Sequence, residues 1–169
     1  MAGYPAIYNT AAVHDALKSI SWIIGRWKTD QGKGFYPTIE PFSYCEEIEF
    51  TSIGQPILNY HSYSWHPEKN NPMHLESGFL RIKPGTNELA FMVAHNFGLS
   101  VVEEGTVDGS TIMLETKEIG RMSFAKGSAV VKTLRSLSLE GDKLKQVISM
   151  ATATQPMTEH LTALYEKVG

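Results

Sequence analysis

The sequence is poor in cysteine, with Cys45 the only one among 169 residues. A single cysteine excludes an intramolecular disulfide, a cysteine-rich zinc site, an iron–sulfur cluster and covalent c-type haem attachment. Chains without disulfides are typical of reducing compartments, so we expect a cytoplasmic or nuclear protein. Cys45 lies within 42–50, a segment predicted as a strand, where a small core residue is a better interpretation than a nucleophile.

The sequence also lacks a long apolar run and a strong charge of either sign. No stretch of about eighteen apolar residues is present, so no membrane span is expected. The net charge of −3 does not indicate the basic patch that nucleic acid requires. Met1–Pro5 shows no basic segment leading into an apolar one, which argues against a signal peptide. The composition, 42% hydrophobic and 20% charged, is that of an ordinary globular protein, and we expect one domain over 1–169.

One helix is predicted, near the start of the chain. Asn9 or Thr10 can cap a segment over 11–20 whose apolar residues share one face. That face is formed by Val13, Leu17 and Ile20.

After this helix the chain alternates between strand-like segments and turn signals such as Asp108-Gly109 and Glu140-Gly-Asp142. The segments are 42–50, 56–65, 76–83, 88–94, 99–107, 134–139, 144–152 and 158–168. We count about ten strands in all. Strands that meet in sequence through hairpins favour an all-β, up-and-down antiparallel barrel over a sandwich. A barrel of this size can hold one small ligand, with the helix closing one mouth.

Three blocks carry a more specific pattern. They are Trp22-Ile-Ile-Gly-Arg-Trp27 running into Gly32–Tyr44, then Pro72–Arg81, and then Ser149–Leu161. Together they resemble the nitrobindin family, small haem-binding β-barrels distantly like fatty-acid-binding proteins and lipocalins. The third block, with Gln155-Pro-Met157, is similar to the animal form, which also occurs as the C-terminal domain of THAP-type zinc-finger proteins. One cysteine cannot build such a finger, so we expect the stand-alone barrel.

The chain departs from the family pattern at one place. The family commonly shows Gly-x-Trp-x-Gly-x-Gly, whereas here Gly25-Arg-Trp27 continues to Gly32 and Gly34 with a different spacing. We expect these two glycines to supply backbone freedom close to the ligand.

The resemblance implies one haem b group per chain, with its ferric iron bound to His160. A neutral ring nitrogen is available at physiological pH, because the ordinary pKa of histidine is about 6.5. Strand alternation leaves the direction of His160 open, since both faces of its segment are mixed. Taken alone, a histidine near a chain end is more often a surface or structural residue than a ligand.

The resemblance places Thr38 beside the haem, and three other residues are further candidate contacts. Thr38 and Lys126 are candidate partners of a propionate, with an ordinary strand threonine and a solvated lysine as the alternatives. Ile39 and Met150 are candidate apolar lining, with plain core packing as the alternative.

Met73 and His74 are expected on the far wall or gate of the pocket. Neither is expected as a second iron ligand, because a six-coordinate iron would be closed to small gases. The other histidines are expected in surface or structural roles; they are His14, His61, His66 and His95.

The resemblance implies binding of nitric oxide and isomerisation of peroxynitrite to nitrate. No catalytic carboxylate pair or triad is evident, and none is demanded, since the metal carries the chemistry. Two alternatives stay open: a nitric oxide or haem sensor or carrier without turnover, and a barrel that binds a lipophile without haem. The expected partners are small molecules, without nucleic acid or membrane, and the expected state is a monomer or a homodimer.

Overall fold

The structure is a computed structural model that describes residues 11–169. One 3₁₀ helix precedes ten antiparallel strands that close into a barrel, each strand beside the next in the chain and β1 beside β10. The helix is Asp15–Ile23, and the strands are β1 (Gly25–Tyr36), β2 (Ile39–Ser52), β3 (Ile57–Trp65), β4 (Pro72–Ile82), β5 (Glu88–His95), β6 (Leu99–Asp108), β7 (Thr111–Arg121), β8 (Val130–Glu140), β9 (Lys143–Thr152) and β10 (Thr158–Val168). The predicted class, strand number and topology are confirmed.

The helix differs from the prediction in its start and its type. It begins at Asp15 and is a 3₁₀ helix. The predicted caps, Asn9 and Thr10, lie outside the described residues. The cap is His14, whose Nδ1 accepts a hydrogen bond from the backbone N–H of Ala16 at 3.1 Å.

The buried face of the helix explains its type. Leu17, Ile20 and Ile23 are fully buried, and their spacing of three residues matches the three-residue turn of a 3₁₀ helix. Val13 precedes the helix and is 47% exposed, so its predicted place on the apolar face was wrong. Leu17, Ile20 and Ile23 join the barrel core and close one end of the barrel. Among residues 11–169 no helix is long and apolar enough to cross a membrane.

The core next to the helix is aromatic and aliphatic. The ring of Tyr60 lies 4.9 Å from the ring of Phe50 and 4.9 Å from that of Phe91, centroid to centroid. Cys45 is buried, with its Sγ 4.0 Å from the carbonyl oxygen of Asp30, which confirms its prediction as a small packed residue. The part of the interior away from the helix is left for polar side chains and a pocket.

Two glycines of β1 make room for aromatic rings of β2. A Cβ atom at Gly32 would lie 2.5 Å from the ring of Tyr44, and one at Gly34 would lie 2.1 Å from the ring of Phe42. Neither glycine is among the residues with positive φ. The expectation that these glycines supply backbone freedom was therefore wrong. Glycine is needed at both positions because the aromatic rings occupy the space where a side chain would lie.

Candidate functional site

A pocket inside the barrel takes its wall from six strands, β4, β5, β6, β8, β9 and β10. Its cavity volume is about 100 Å³, smaller than the about 300–1,000 Å³ that is common for ligand pockets. Part of the wall is apolar, formed by Leu99, Val101, Ile148, Met150 and Leu161. The rest carries ionisable side chains, His160 among them.

His160 reaches the pocket because β10 contains a β-bulge at this point. In the pairing of β10 with β9, Glu159 lies opposite Ser149 and Leu161 lies opposite Ile148, so His160 is the extra residue. A bulge interrupts the alternation of side chains and re-aims them. Both His160 and Leu161 line the pocket as a result. The alternation of side chains along β10 could not predict the direction of His160, because the register with β9 shifts at this residue.

The surroundings of His160 select one form of its ring. Nδ1 lies 2.9 Å from the carbonyl oxygen of Phe35, and because a carbonyl only accepts, Nδ1–H is the donor. The pKa of His160 is lowered by burial, against the opposing effect of the Phe35 hydrogen bond. The rings of Tyr36 and Phe42 flank it edge-on, 5.4 and 6.3 Å away. A neutral ring with Nδ1–H leaves the lone pair of Nε2 free to bind a metal.

These features fit the axial ligand of a haem. Histidines that bind metals usually donate their other ring N–H to a carbonyl or carboxylate, which fixes the ring, and His160 does so to Phe35. The apolar wall suits the faces of a porphyrin. The residues present therefore fit the group that the sequence predicts, with His160 as the side chain that would hold its iron.

The opposite wall carries two more histidines. β5 lies five strands from β10 in either direction around the barrel, so His95 at the end of β5 faces the His160 side across the pocket. Nε2 of His74 lies 2.9 Å from Nδ1 of His95, and the ring of Phe97 covers both at 4.7 and 5.4 Å. His74 thus stands on the predicted far wall.

His95 was missed by the sequence prediction, which gave it a surface or structural role. Its side chain is only 10% exposed and lines the pocket. A signal existed: in the β4–β5 hairpin Glu76 pairs with His95, and His74 lies two residues before Glu76, on the same face. Burial lowers the pKa of His95 to about 4, against the opposing charge of Glu76.

A buried network of charges continues from this wall into the barrel. Arg135 donates to Glu103 at 3.0 Å, to Glu76 at 3.4 Å and to Gln146 at 2.9 Å. Burial acts to raise the pKa of Glu76, but Arg135 and then the two histidines outweigh it and lower the pKa to about 2. Sequence reasoning found none of these groups, because partners such as Glu103 and Arg135 stand on separate strands.

A third buried carboxylate, that of Glu46, belongs to the same network. Glu46 accepts hydrogen bonds from the hydroxyls of Ser62, at 2.6 Å, and Tyr165. Tyr165 in turn accepts from Gln146 at 3.1 Å. Burial raises the pKa of Glu46, and the two hydroxyls offset this only in part.

The structure brings only some of the predicted contact residues together. His74 and Met150 line the pocket with His160. Met73 is partly buried and packs against the barrel core instead.

Three more predicted contacts lie outside the pocket lining, in addition to Met73. Thr38 is exposed in the turn between β1 and β2, two residues after Tyr36, and Ile39 is 47% exposed at the start of β2. Lys126 is exposed in the loop between β7 and β8, where its carbonyl oxygen accepts from Arg121 at 3.3 Å.

The remaining histidines make local contacts away from the pocket lining. Nδ1 of His66 accepts from the backbone N–H groups of Glu68 and Lys69, both at 3.2 Å, which confirms a structural role. Nδ1 of His61 lies 2.8 Å from the hydroxyl of Ser77.

A closed barrel with an internal pocket and a histidine aimed into it is a ligand-holding β-barrel. The family model described as "THAP4-like, heme-binding beta-barrel domain" matches residues 16–167. The chain therefore belongs to this haem-binding family, and its resemblance to the nitrobindins is confirmed.

Relatives of several kingdoms match the chain. It is 45% identical over 158 residues to peroxynitrite isomerase THAP4 of Homo sapiens, covering 92% of this chain and 27% of that protein. It is 36% identical to peroxynitrite isomerase Rv2717c of Arabidopsis thaliana, covering 92% of this chain and 91% of that protein. The crystal structure of Rv2717c from M. tuberculosis superposes with a TM-score of 0.84 at 32% identity, covering 94% of this chain and 100% of that one. The chain thus spans less than a third of its animal relatives and nearly all of the others.

Proposed function

We propose that this protein is a ferric haem b protein, with one haem per chain, that binds nitric oxide and isomerises peroxynitrite to nitrate. The observation that carries the proposal is the hydrogen bond of His160 to Phe35, which leaves Nε2 of His160 free on the wall of the pocket. Membership of a haem-binding family supports the cofactor. The naming of the human and Arabidopsis relatives as peroxynitrite isomerases supports the reaction.

The protein's part in this reaction is to bind, orient and exclude water. Bound ferric haem supplies a Lewis-acidic iron that promotes cleavage of the O–O bond of peroxynitrite. His160 would hold that iron through Nε2, and the carbonyl oxygen of Phe35 fixes the orientation of the His160 ring. Val101, Ile148 and Leu161 supply the apolar part of the pocket wall. Peroxynitrite and nitrate have the same atoms and charge, so the overall reaction consumes no proton and no electron.

A hemin titration of His160→Ala tests the assignment. Wild-type protein is expected to give a saturable shift of the Soret band at one hemin per chain, and His160→Ala is expected to lose it. His66→Ala is the matched control, since His66 is also half-buried but holds a turn outside the pocket. An absent shift in the wild type, or an unchanged shift in His160→Ala, would contradict the proposal.

Stopped-flow kinetics then separates an enzyme from a sensor or carrier. The ferric holoprotein is expected to accelerate the decay of peroxynitrite and to yield nitrate. A decay rate equal to that of free buffer would leave only the binding roles. The oligomeric state, monomer or homodimer, and the cytoplasmic or nuclear location stay predictions.

Thr38 and Lys126 remain our proposed partners for the haem propionates, which are polar and favour the mouth of a pocket. Thr38 closely follows Tyr36, which contacts His160. The loop of Lys126 leads into Val130, which lines the pocket. Because Lys126 is exposed, Lys126→Met is expected to weaken hemin binding only by about two- to fivefold. An unchanged affinity in this variant would remove Lys126 from the site.

A further inference from the structure

Three ligand atoms converge on the pocket wall formed by β4 and β5. Nε2 of His74 and Nδ1 of His95 lie 2.9 Å apart, and Oε1 of Glu76 lies 3.6 Å and 3.3 Å from them. Donor atoms around one tetrahedral zinc ion lie about 3.3 Å apart, because each bond is about 2.0–2.2 Å long. The triangle already has the dimensions of three ligands on one ion.

The carboxylate of Glu76 is oriented for this role. Its Oε2 accepts from the hydroxyl of Tyr60 at 2.8 Å and from Arg135 at 3.4 Å. These contacts turn Oε1 toward the two rings. Hydrogen bonds of this kind to the second oxygen of a carboxylate are what orients it in metal sites.

The local charge also favours a cation. Glu76 and Glu103 are two buried carboxylates that share one guanidinium, that of Arg135. One negative charge is thus left over in an interior where an uncompensated charge is costly. Arg135 lies closer to Glu103, at 3.0 Å, than to Glu76, at 3.4 Å, so Glu76 is the carboxylate with capacity for a further cation.

We propose that His74, Glu76 and His95 form a binding site for a divalent transition metal ion, of which Zn²⁺ is the model, on the pocket wall that faces His160. Two histidines and one carboxylate are a ligand set of zinc enzymes and of non-haem iron enzymes. Because the three side chains line the pocket, a fourth position stays open to a water or small anion inside it. The ring of Phe97, which is 47% exposed, packs against both imidazoles. The site shares no ligand with the proposed haem, since His160 is not part of it.

Metal titration of the full-length chain, freed of metal and haem, tests the proposal. Calorimetry with Zn²⁺ is expected to show one ion per chain bound at micromolar concentration or below. Co²⁺ is expected to give the visible absorption of a four-coordinate site, while Mg²⁺ is expected not to bind, because it prefers oxygen ligands. His95→Gln is expected to weaken Zn²⁺ binding by more than about tenfold, since it removes a ligand.

His160→Ala and His66→Gln are the controls. Both are expected to keep Zn²⁺ binding, whereas His160→Ala is expected to lose the hemin shift and His66→Gln to keep it. The two sites can therefore fail independently. His95→Gln is chosen over a change at Glu76 because Glu76 pairs with buried Arg135. Thermal melting of the His95→Gln variant verifies that the variant folds. Absence of Zn²⁺ binding, equal binding by His95→Gln, or loss of Zn²⁺ with His160→Ala would overturn the proposal.

Discussion

His160 donates from Nδ1 to the carbonyl oxygen of Phe35, 2.9 Å away, across the seam where β10 meets β1. The ring is therefore positioned from both strands: β10 supplies the bulge that aims it, and β1 supplies the acceptor. Phe35 is flanked in the chain by Gly34, which makes room for Phe42, and Tyr36, whose ring contacts His160. Substitutions in β1 are therefore expected to change the position of the His160 ring even where the substituted residue does not contact it.

Gly34→Ala is expected to destabilise the barrel and to weaken hemin binding. The new methyl would lie 2.1 Å from the ring of Phe42, so that ring must move, and it stands 6.3 Å from the ring of His160. Overpacking of this kind costs about 1–3 kcal/mol. Urea unfolding and a hemin titration measure the two effects.

The same change in a Phe42→Ala background is the control. With the ring removed, alanine at position 34 is expected to cost much less than in the wild type. An equal cost in both backgrounds would show that contact with Phe42 is not the cause.

The barrel could be predicted from the sequence, whereas much of the pocket could not. The alternation of apolar and polar residues and the hairpin turns predict the strand order, because both are local features of the sequence. The direction of His160 depends on a one-residue shift between β9 and β10, which no strand pattern reveals. Arg135 lies on β8, where the residues around it alternate as in any strand. Its buried guanidinium is paired with Glu103, which is 32 residues away in the sequence. Only the closed barrel brings such residues together.

Arg135→Met is expected to lower the free energy of unfolding by about 3–5 kcal/mol, because it leaves the carboxylates of Glu76 and Glu103 buried without their cation. Urea unfolding at neutral pH measures the loss. Arg26→Met is the matched control: Arg26 pairs with Glu47 at the surface, where it is half exposed, and the unfolding midpoint is expected to stay close to that of the wild type. Equal effects of the two variants would mean that the buried pairs of Arg135 contribute no more than a surface pair.

The free energy of unfolding of Glu46→Gln, minus that of the wild type, is expected to increase as the pH rises. Burial raises the pKa of Glu46 in the folded protein above the ordinary value of 4.5. As the pH rises above about 4.5, the unfolded chain releases this proton while the folded protein retains it, so the wild type loses stability until the pH passes the folded pKa. Glutamine has no such proton, and its amide oxygen can still accept from one of the two hydroxyls, since Ser62 and Tyr165 donate to different oxygens of Glu46.

Urea unfolding of both proteins at intervals between pH 4.5 and 7.5 measures this difference. The free energy of unfolding of Glu46→Gln minus that of the wild type is expected to increase across the range, whatever its value at pH 4.5. Carrying both proteins through the same buffers cancels the titration of every other group. A difference that stays constant with pH would mean that Glu46 releases its proton at the same pH in the folded and unfolded chain, and that burial among Ser62, Tyr165 and Arg135 leaves its charge as well solvated as water does.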